Sequence, residues 1–126
     1  MSAAVKVSLA PWLSMRDSIA AVGFYEAAFN ATVVYRLDVP GGIIARLSIA
    51  AAEFWVSESD EANTGDAVRM ILTVPNPDEL FAQSLKAGAI SIFPVGEAHG
   101  WRLGRLQDPF GFHWELGYPL ETTPIQ

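Results

Sequence analysis

Apolar and polar positions alternate over Val5-Lys6-Val7-Ser8-Leu9, the period-two signature of a β-strand. From Asp17 the pattern lengthens to a helical stripe carried by Ala20, Phe24, Ala27 and Ala28, with Asp17 suited to cap its start and Asn30 to end it in a left-handed conformation. Three short strands follow, "TVVYRLDV", "IIARLSIA" and "EFWVSES", the first two separated by a Pro-Gly-Gly turn. After the polar stretch "SDEANTGDA" the same order returns. "VRMILTV" reads as a strand and "NPDELFAQSLKAG" as a second helix. Asn76 is its cap, Pro77 starts its first turn, Asp78 and Glu79 suit its positive end and Gly88 closes it. The strands "AISIFPV", "WRLGRLQ" and "FHWELGY" complete the second half.

Each half is therefore β-α-β-β-β, with one module over about residues 4–60 and a second over about 66–120 of a single domain spanning 1–126. The expected fold class is α+β. A helix covers one face of each sheet and leaves the other for a second unit or a ligand, so curved mixed sheets enclosing a groove are expected.

Asp108-Pro109-Phe110-Gly111 has the residues of a type I turn, with Asp first, Pro second and Gly fourth. In the strand beyond it, Phe112, Trp114 and Leu116 point one way, toward the core, while His113, Glu115 and Gly117 point the other. A carboxylate at Glu115, among aromatic residues, must meet solvent, an opposite charge, a metal or a ligand.

Composition narrows the chemistry. The chain has 126 residues, no cysteine and a net charge of −6. Disulfides, zinc–thiolate sites and cysteine nucleophiles are excluded. The acidic balance, without a basic patch, argues against nucleic acid as a partner. No stretch approaches the roughly 20 apolar residues that cross a bilayer, and the start of the chain reads as a strand rather than a signal peptide, so no membrane partner and a cytoplasmic location are expected. No nucleophile elbow or phosphate loop is present.

"FYEAAFNA" in the first helix and the ending "HGWRLGRLQDPFGFHWEL" resemble the vicinal oxygen chelate superfamily of glyoxalases, bleomycin-resistance proteins and dioxygenases, and within it the PhnB-like or bleomycin-resistance-like branch. The resemblance runs from about Val5 to Tyr118. It implies two βαβββ modules around a groove. It also implies a homodimer with each site shared between chains.

Enzymes of that superfamily hold a divalent metal at four symmetric strand positions. Aligned on the motifs, those positions fall here on Ala10, Trp55, Arg69 and Glu115. Only Glu115 is a ligand type, and an arginine repels a cation. His113 shares the face of Glu115 without supplying a third donor. The expectation is a site with no metal and no cofactor, in which Arg69 and Glu115 face each other across the groove floor and the guanidinium stands where a metal would be.

Trp55 is open to two readings, an aromatic platform for a flat ligand or a filler of otherwise empty space. The Arg69–Glu115 pair is equally a ligand contact or a structural ion pair. Arg46 enters the groove or snorkels outward. Trp12 and Trp101 are assigned to packing or dimer contact, His99 to a solvated loop, and Phe24 and Tyr25 to helix-on-sheet packing. The expected function is a metal-free binding protein for a flat or cationic small molecule, with Trp55, Arg69, Glu115, His113 and Arg46 as ligand-binding residues. The alternatives are a lyase or dioxygenase, with a divalent metal or with Glu115 as general base, and a subunit whose groove is filled by its own side chains.

Overall fold

The computed structural model describes residues 8–61 and 68–120. Within them the order is β1 (Trp12–Met15), α1 (Ser18–Phe29), β2 (Thr32–Val39), β3 (Gly42–Ile49), β4 (Ala52–Glu58), β5 (Arg69–Thr73), α2 (Pro77–Ala87), β6 (Ile90–Ala98), β7 (Trp101–Gln107) and β8 (His113–Pro119). The strands form two four-stranded mixed sheets, ordered β1-β4-β3-β2 and β5-β8-β7-β6. In each, the first strand runs parallel to the last and the remaining pairs are antiparallel. The α+β fold of two βαβββ modules is thus the observed one.

The strand expected over Val5–Leu9 lies mostly outside the described residues, and Ser8 and Leu9 are irregular. The described first strand starts at Trp12, which aligns with Trp55 on β4, while the carbonyl of Pro11 accepts the Trp55 N–H at 2.8 Å. Proline has no N–H for a ladder but keeps its carbonyl, which suits a strand entry.

Both helices begin and end for local reasons, with one exception. Asn76 Oδ1 accepts the Glu79 N–H at 3.2 Å, and Asn76 Nδ2 donates to Glu79 Oε2 at 3.0 Å, tying the start of α2. Asn30 takes the left-handed conformation that closes α1. Asp17 departs from expectation. It is itself left-handed, and its side chain makes no capping hydrogen bond. The start of α1 is held instead by Glu58 at the end of β4, whose Oε1 accepts the Ser18 N–H at 2.9 Å and the Ser18 hydroxyl at 2.7 Å.

The buried face of α1 also differs from the expected stripe. Ala20 and Ala27 are exposed, whereas Ala21, Val22, Phe24, Tyr25, Ala28 and Phe29 are buried. The helix is apolar nearly all round, so its sequence period does not select a face. Packing selects it: α1 covers β3 and β4 and also packs on α2.

The modules are joined through that helix pair and an aromatic cluster. Trp114 on β8 is 2% exposed, with its ring 4.7 Å from Phe29 and 5.4 Å from Phe54 of the other module. Gln83 of α2 donates to the Ala27 carbonyl at 2.9 Å and to Asn30 Oδ1 at 3.0 Å. Each sheet thereby has one face against a helix and one open face. Along β3 the covered residues are Ile43, Ala45 and Leu47, and the open ones are Ile44, Arg46 and Ser48.

Candidate functional site

The open face of the second sheet is a groove of about 760 Å³. Its apolar walls include Ile71, Phe93, Trp101 and Leu103, and its polar lining includes Arg69, Arg105 and Glu115. Every lining residue belongs to the second module.

Arg69 Nη1 donates to Glu115 Oε1 at 2.9 Å. The pairing expected from the sequence is present, but its geometry is different: the two residues are not across the groove from each other. They sit on adjacent parallel strands, because β5 pairs β8 with Arg69 opposite His113 and Ile71 opposite Glu115. Two residues along a strand return a side chain to the same face, so Arg69 reaches Glu115 diagonally. The side chains are 44% and 19% exposed, so the carboxylate is the more sheltered partner.

His113 is also on this face and is bonded from the far side. Arg105 Nε lies 3.1 Å and Arg105 Nη2 2.9 Å from its Nδ1. A guanidinium can only donate, so Nδ1 is the accepting nitrogen and the ring proton sits on Nε2. Arg105 was missed in the sequence. The signal was present, since Trp101, Leu103 and Arg105 alternate along β7, and the register sets Arg105 opposite Glu115.

The other anticipated residues fall elsewhere. Trp55 and Arg46 lie on the open face of the first sheet. Trp12 stacks on Trp55 with centroids 5.6 Å apart, and Tyr35 meets it edge-on at 5.9 Å. The Arg46 guanidinium lies 5.5 Å from the Trp55 ring centroid, and its Nε is 3.5 Å from Glu53 Oε1. Ala10 borders a second cavity of about 510 Å³ between the modules, which Arg69 and Trp114 also line. Trp101 and the exposed His99 line the groove itself.

The residues do not fit a divalent metal. Among the described residues no group of three or more His, Asp or Glu side chains is placed to hold one. Glu115 brings a single carboxylate whose nearest charged partner is a guanidinium. A divalent centre needs about three or more convergent donors, so this donor set supports no metal-centred step.

Asp108 illustrates what a turn motif conceals. Its carbonyl accepts the Gly111 N–H at 3.1 Å, as a type I turn requires. Its side chain is buried and accepts from Tyr25 Oη at 2.6 Å, Trp114 Nε1 at 2.9 Å and the N–H groups of Phe110 and Phe112. Burial pushes its carboxyl up from the ordinary value, against those four donors. Burial, with Asp108 adjacent, also pushes the Tyr25 phenol well up. This hub ties α1 to the turn that aims β8, and so positions Glu115.

The solved structures similar to this chain share its arrangement of modules. They include TioX from Micromonospora sp. ML1 (24% identity, TM-score 0.75, covering 91% of this chain and 100% of that one). A genomically encoded fosfomycin resistance protein, FosX, from Listeria monocytogenes matches at 15% identity and TM-score 0.77, over 92% of this chain and 95% of that one. A glyoxalase/bleomycin resistance protein/dioxygenase family enzyme from Burkholderia phytofirmans PsJN matches at 18% identity and TM-score 0.72, over 86% and 95%. The fold is that of the glyoxalase/bleomycin resistance/dioxygenase proteins.

No protein-family model matches the sequence. Curated mycobacterial proteins do. Uncharacterized protein Rv0887c of Mycobacterium tuberculosis is 31% identical over 98% of this chain and 81% of its own length. Uncharacterized protein Mb0911c of Mycobacterium bovis is also 31% identical, over 98% and 90%. The chain belongs to one family with these proteins. Among the described residues no helix is long and apolar enough to cross a membrane.

Proposed function

We propose that this chain is a metal-free binding protein for a small planar molecule, of the PhnB-like or bleomycin-resistance-like branch, with its ligand held on the open face of the second sheet. The observation that carries the reading is the Arg69–Glu115 ion pair on the floor of an apolar-walled groove of about 760 Å³, a volume within the usual range of small-molecule sites. The guanidinium stands beside the Glu115 carboxylate. Manganese and a phosphonic acid diol are bound by a FosX variant of the same fold at 18% identity. That chemistry is not carried over, because the donor set differs.

The reading includes a homodimer with shared sites. The groove is lined from one module only, and the first sheet presents Trp12, Trp55, Tyr35 and Arg46 on an open face of its own. Two copies that each lay this aromatic face over the partner's groove would complete two sites. Trp55 and Arg46 would then join Arg69, Glu115 and His113 around one ligand.

The test is metal content of the purified protein, then calorimetric titration with zinc, nickel, manganese and iron(II), then tryptophan fluorescence against a panel of planar compounds. Background metal and stoichiometric, turnover-free binding of a planar compound support the reading. Stoichiometric tight metal overturns it in favour of a lyase or dioxygenase. Product formation without metal would overturn it in favour of an enzyme with Glu115 as general base.

A further inference from the structure

We propose that the groove selects a neutral planar ligand that carries an N–H donor and a carbonyl acceptor side by side, the edge of a lactam or cyclic imide, and that Glu115 and Arg69 read this edge together. The inference rests on the reading of the groove as a small-molecule site given above and names its ligand class.

The ion pair is made through a single hydrogen bond, Arg69 Nη1 to Glu115 Oε1. A guanidinium has five N–H donors and a carboxylate has two accepting oxygens. Among the described residues neither side chain has another hydrogen-bond partner. The pair therefore retains one accepting oxygen, Glu115 Oε2, beside several unused N–H groups of Arg69, on residues that both line the groove. An acceptor next to a donor is the complement of a cis-amide edge. The ligand N–H donates to Glu115 and the ligand carbonyl accepts from Arg69.

Charge favours the same class. The pair is neutral as a unit. A cation would compete with Arg69 for Glu115, and an anion would compete with Glu115 for Arg69. Either exchange leaves one charge uncompensated, which costs most for Glu115 because its side chain is only 19% exposed. A neutral dipolar edge adds two hydrogen bonds to charged groups, the stronger kind, and breaks none. The remaining walls, Ile71, Phe93, Trp101 and Leu103, suit the ring body of such a molecule. This refines the expectation of a flat or cationic compound: flat is kept and cationic is replaced.

The experiment is calorimetric titration of the purified protein with four probes on one bicyclic frame: isoquinolone, N-methylisoquinolone, isoquinoline carboxylate and aminoisoquinolinium. Isoquinolone is expected to bind most tightly, with N-methylation weakening it by about tenfold or more, the equivalent of one hydrogen bond to a charged group. In Glu115→Leu the preference for isoquinolone over its N-methyl form is expected to fall to within about twofold, whereas Arg69→Met, which removes only the donor to the shared carbonyl, is expected to weaken both forms alike and leave the preference in place. The probe series on the unaltered protein decides the matter if either variant fails to fold. Equal binding of isoquinolone and its N-methyl form overturns the inference, as does tighter binding of either charged probe. Failure of all four to bind also overturns it. The wider planar panel decides separately whether the groove is a small-molecule site.

Discussion

Glu58 caps a helix to which it does not belong: its Oε1 takes both the N–H and the hydroxyl of Ser18, 40 residues earlier in the chain. Ser18 Oγ in turn accepts the Ile43 N–H at 3.0 Å, so the first turn of α1 is bonded to both β3 and β4. The second module solves the same problem locally with Asn76. The start of α1 therefore depends on the first sheet being formed, while α2 carries its own cap. Glu58→Ala is expected to cost about 1 to 2 kcal/mol, the range for a lost cap, read as a fall in thermal midpoint by circular dichroism.

The same contact sets a pH dependence. Hydrogen bonds from Ser18 lower the Glu58 pKa below the ordinary carboxylate value. A carboxylate with a depressed folded pKa contributes stability that is complete above its unfolded pKa and is lost as the pH falls through the folded one. The stability difference between the native protein and Glu58→Gln should therefore be largest near neutral pH and should shrink as the solution is acidified into that window. Urea denaturation at stepped pH measures it. A difference that grows on acidification would contradict the assignment.

Gly42 is required by this cap. A Cβ there would overlap the Glu58 carboxylate and the Ser18 hydroxyl. Gly42→Ala should cost about 2 kcal/mol through overpacking. The cost should be smaller when Glu58→Ala is already present, since the clash is then half relieved. A double-mutant cycle gives the coupling directly, and strict additivity would show that the two sites do not meet.

Tyr25 should resist ionisation. Its phenol is held well above the ordinary value by burial and by Asp108. Between the unfolded pKa and this raised folded value the folded state binds the extra proton, so stability falls as pH rises through that window. Ultraviolet titration should show one tyrosine ionising only with unfolding. Tyr25→Phe should lose about 1 kcal/mol at neutral pH and the larger part of the alkaline instability.

The pair in the groove should contribute modestly to the fold. Arg69 is nearly half exposed, so Arg69→Ala is expected to cost about 1 kcal/mol or less, against a clear loss of ligand affinity. A loss of several kcal/mol without any change in binding would reassign the pair as purely structural.

Several features were legible in the sequence because they are local. The Asn76-Pro77 start and Gly88 end of α2 and the left-handed Asn30 follow from backbone preferences that no distant contact overrides. So does the Asp108–Gly111 turn. Strict alternation in β8 placed Trp114 and Leu116 in the core and Glu115 on the opposite face, and both core residues are buried. The repeated order of elements gave the two-module fold.

What stayed hidden was non-local. An all-apolar helix offers no stripe, so only packing against β3, β4 and α2 chose the buried face of α1. Asp17 looked like a cap, yet the backbone turned it left-handed and a glutamate from β4 took its place. Asp108 read as a turn residue, and only the approach of α1 brought Tyr25 to its carboxylate. Alternation put Glu115 on the open face, but it could not say which strand would lie beside it. The parallel register of β5 on β8 made that choice, and with it set Arg69 next to Glu115 within one sheet. Composition and period fix which side chains leave the core. Strand register and helix docking, summed over many weak contacts far apart in the chain, decide which of them meet.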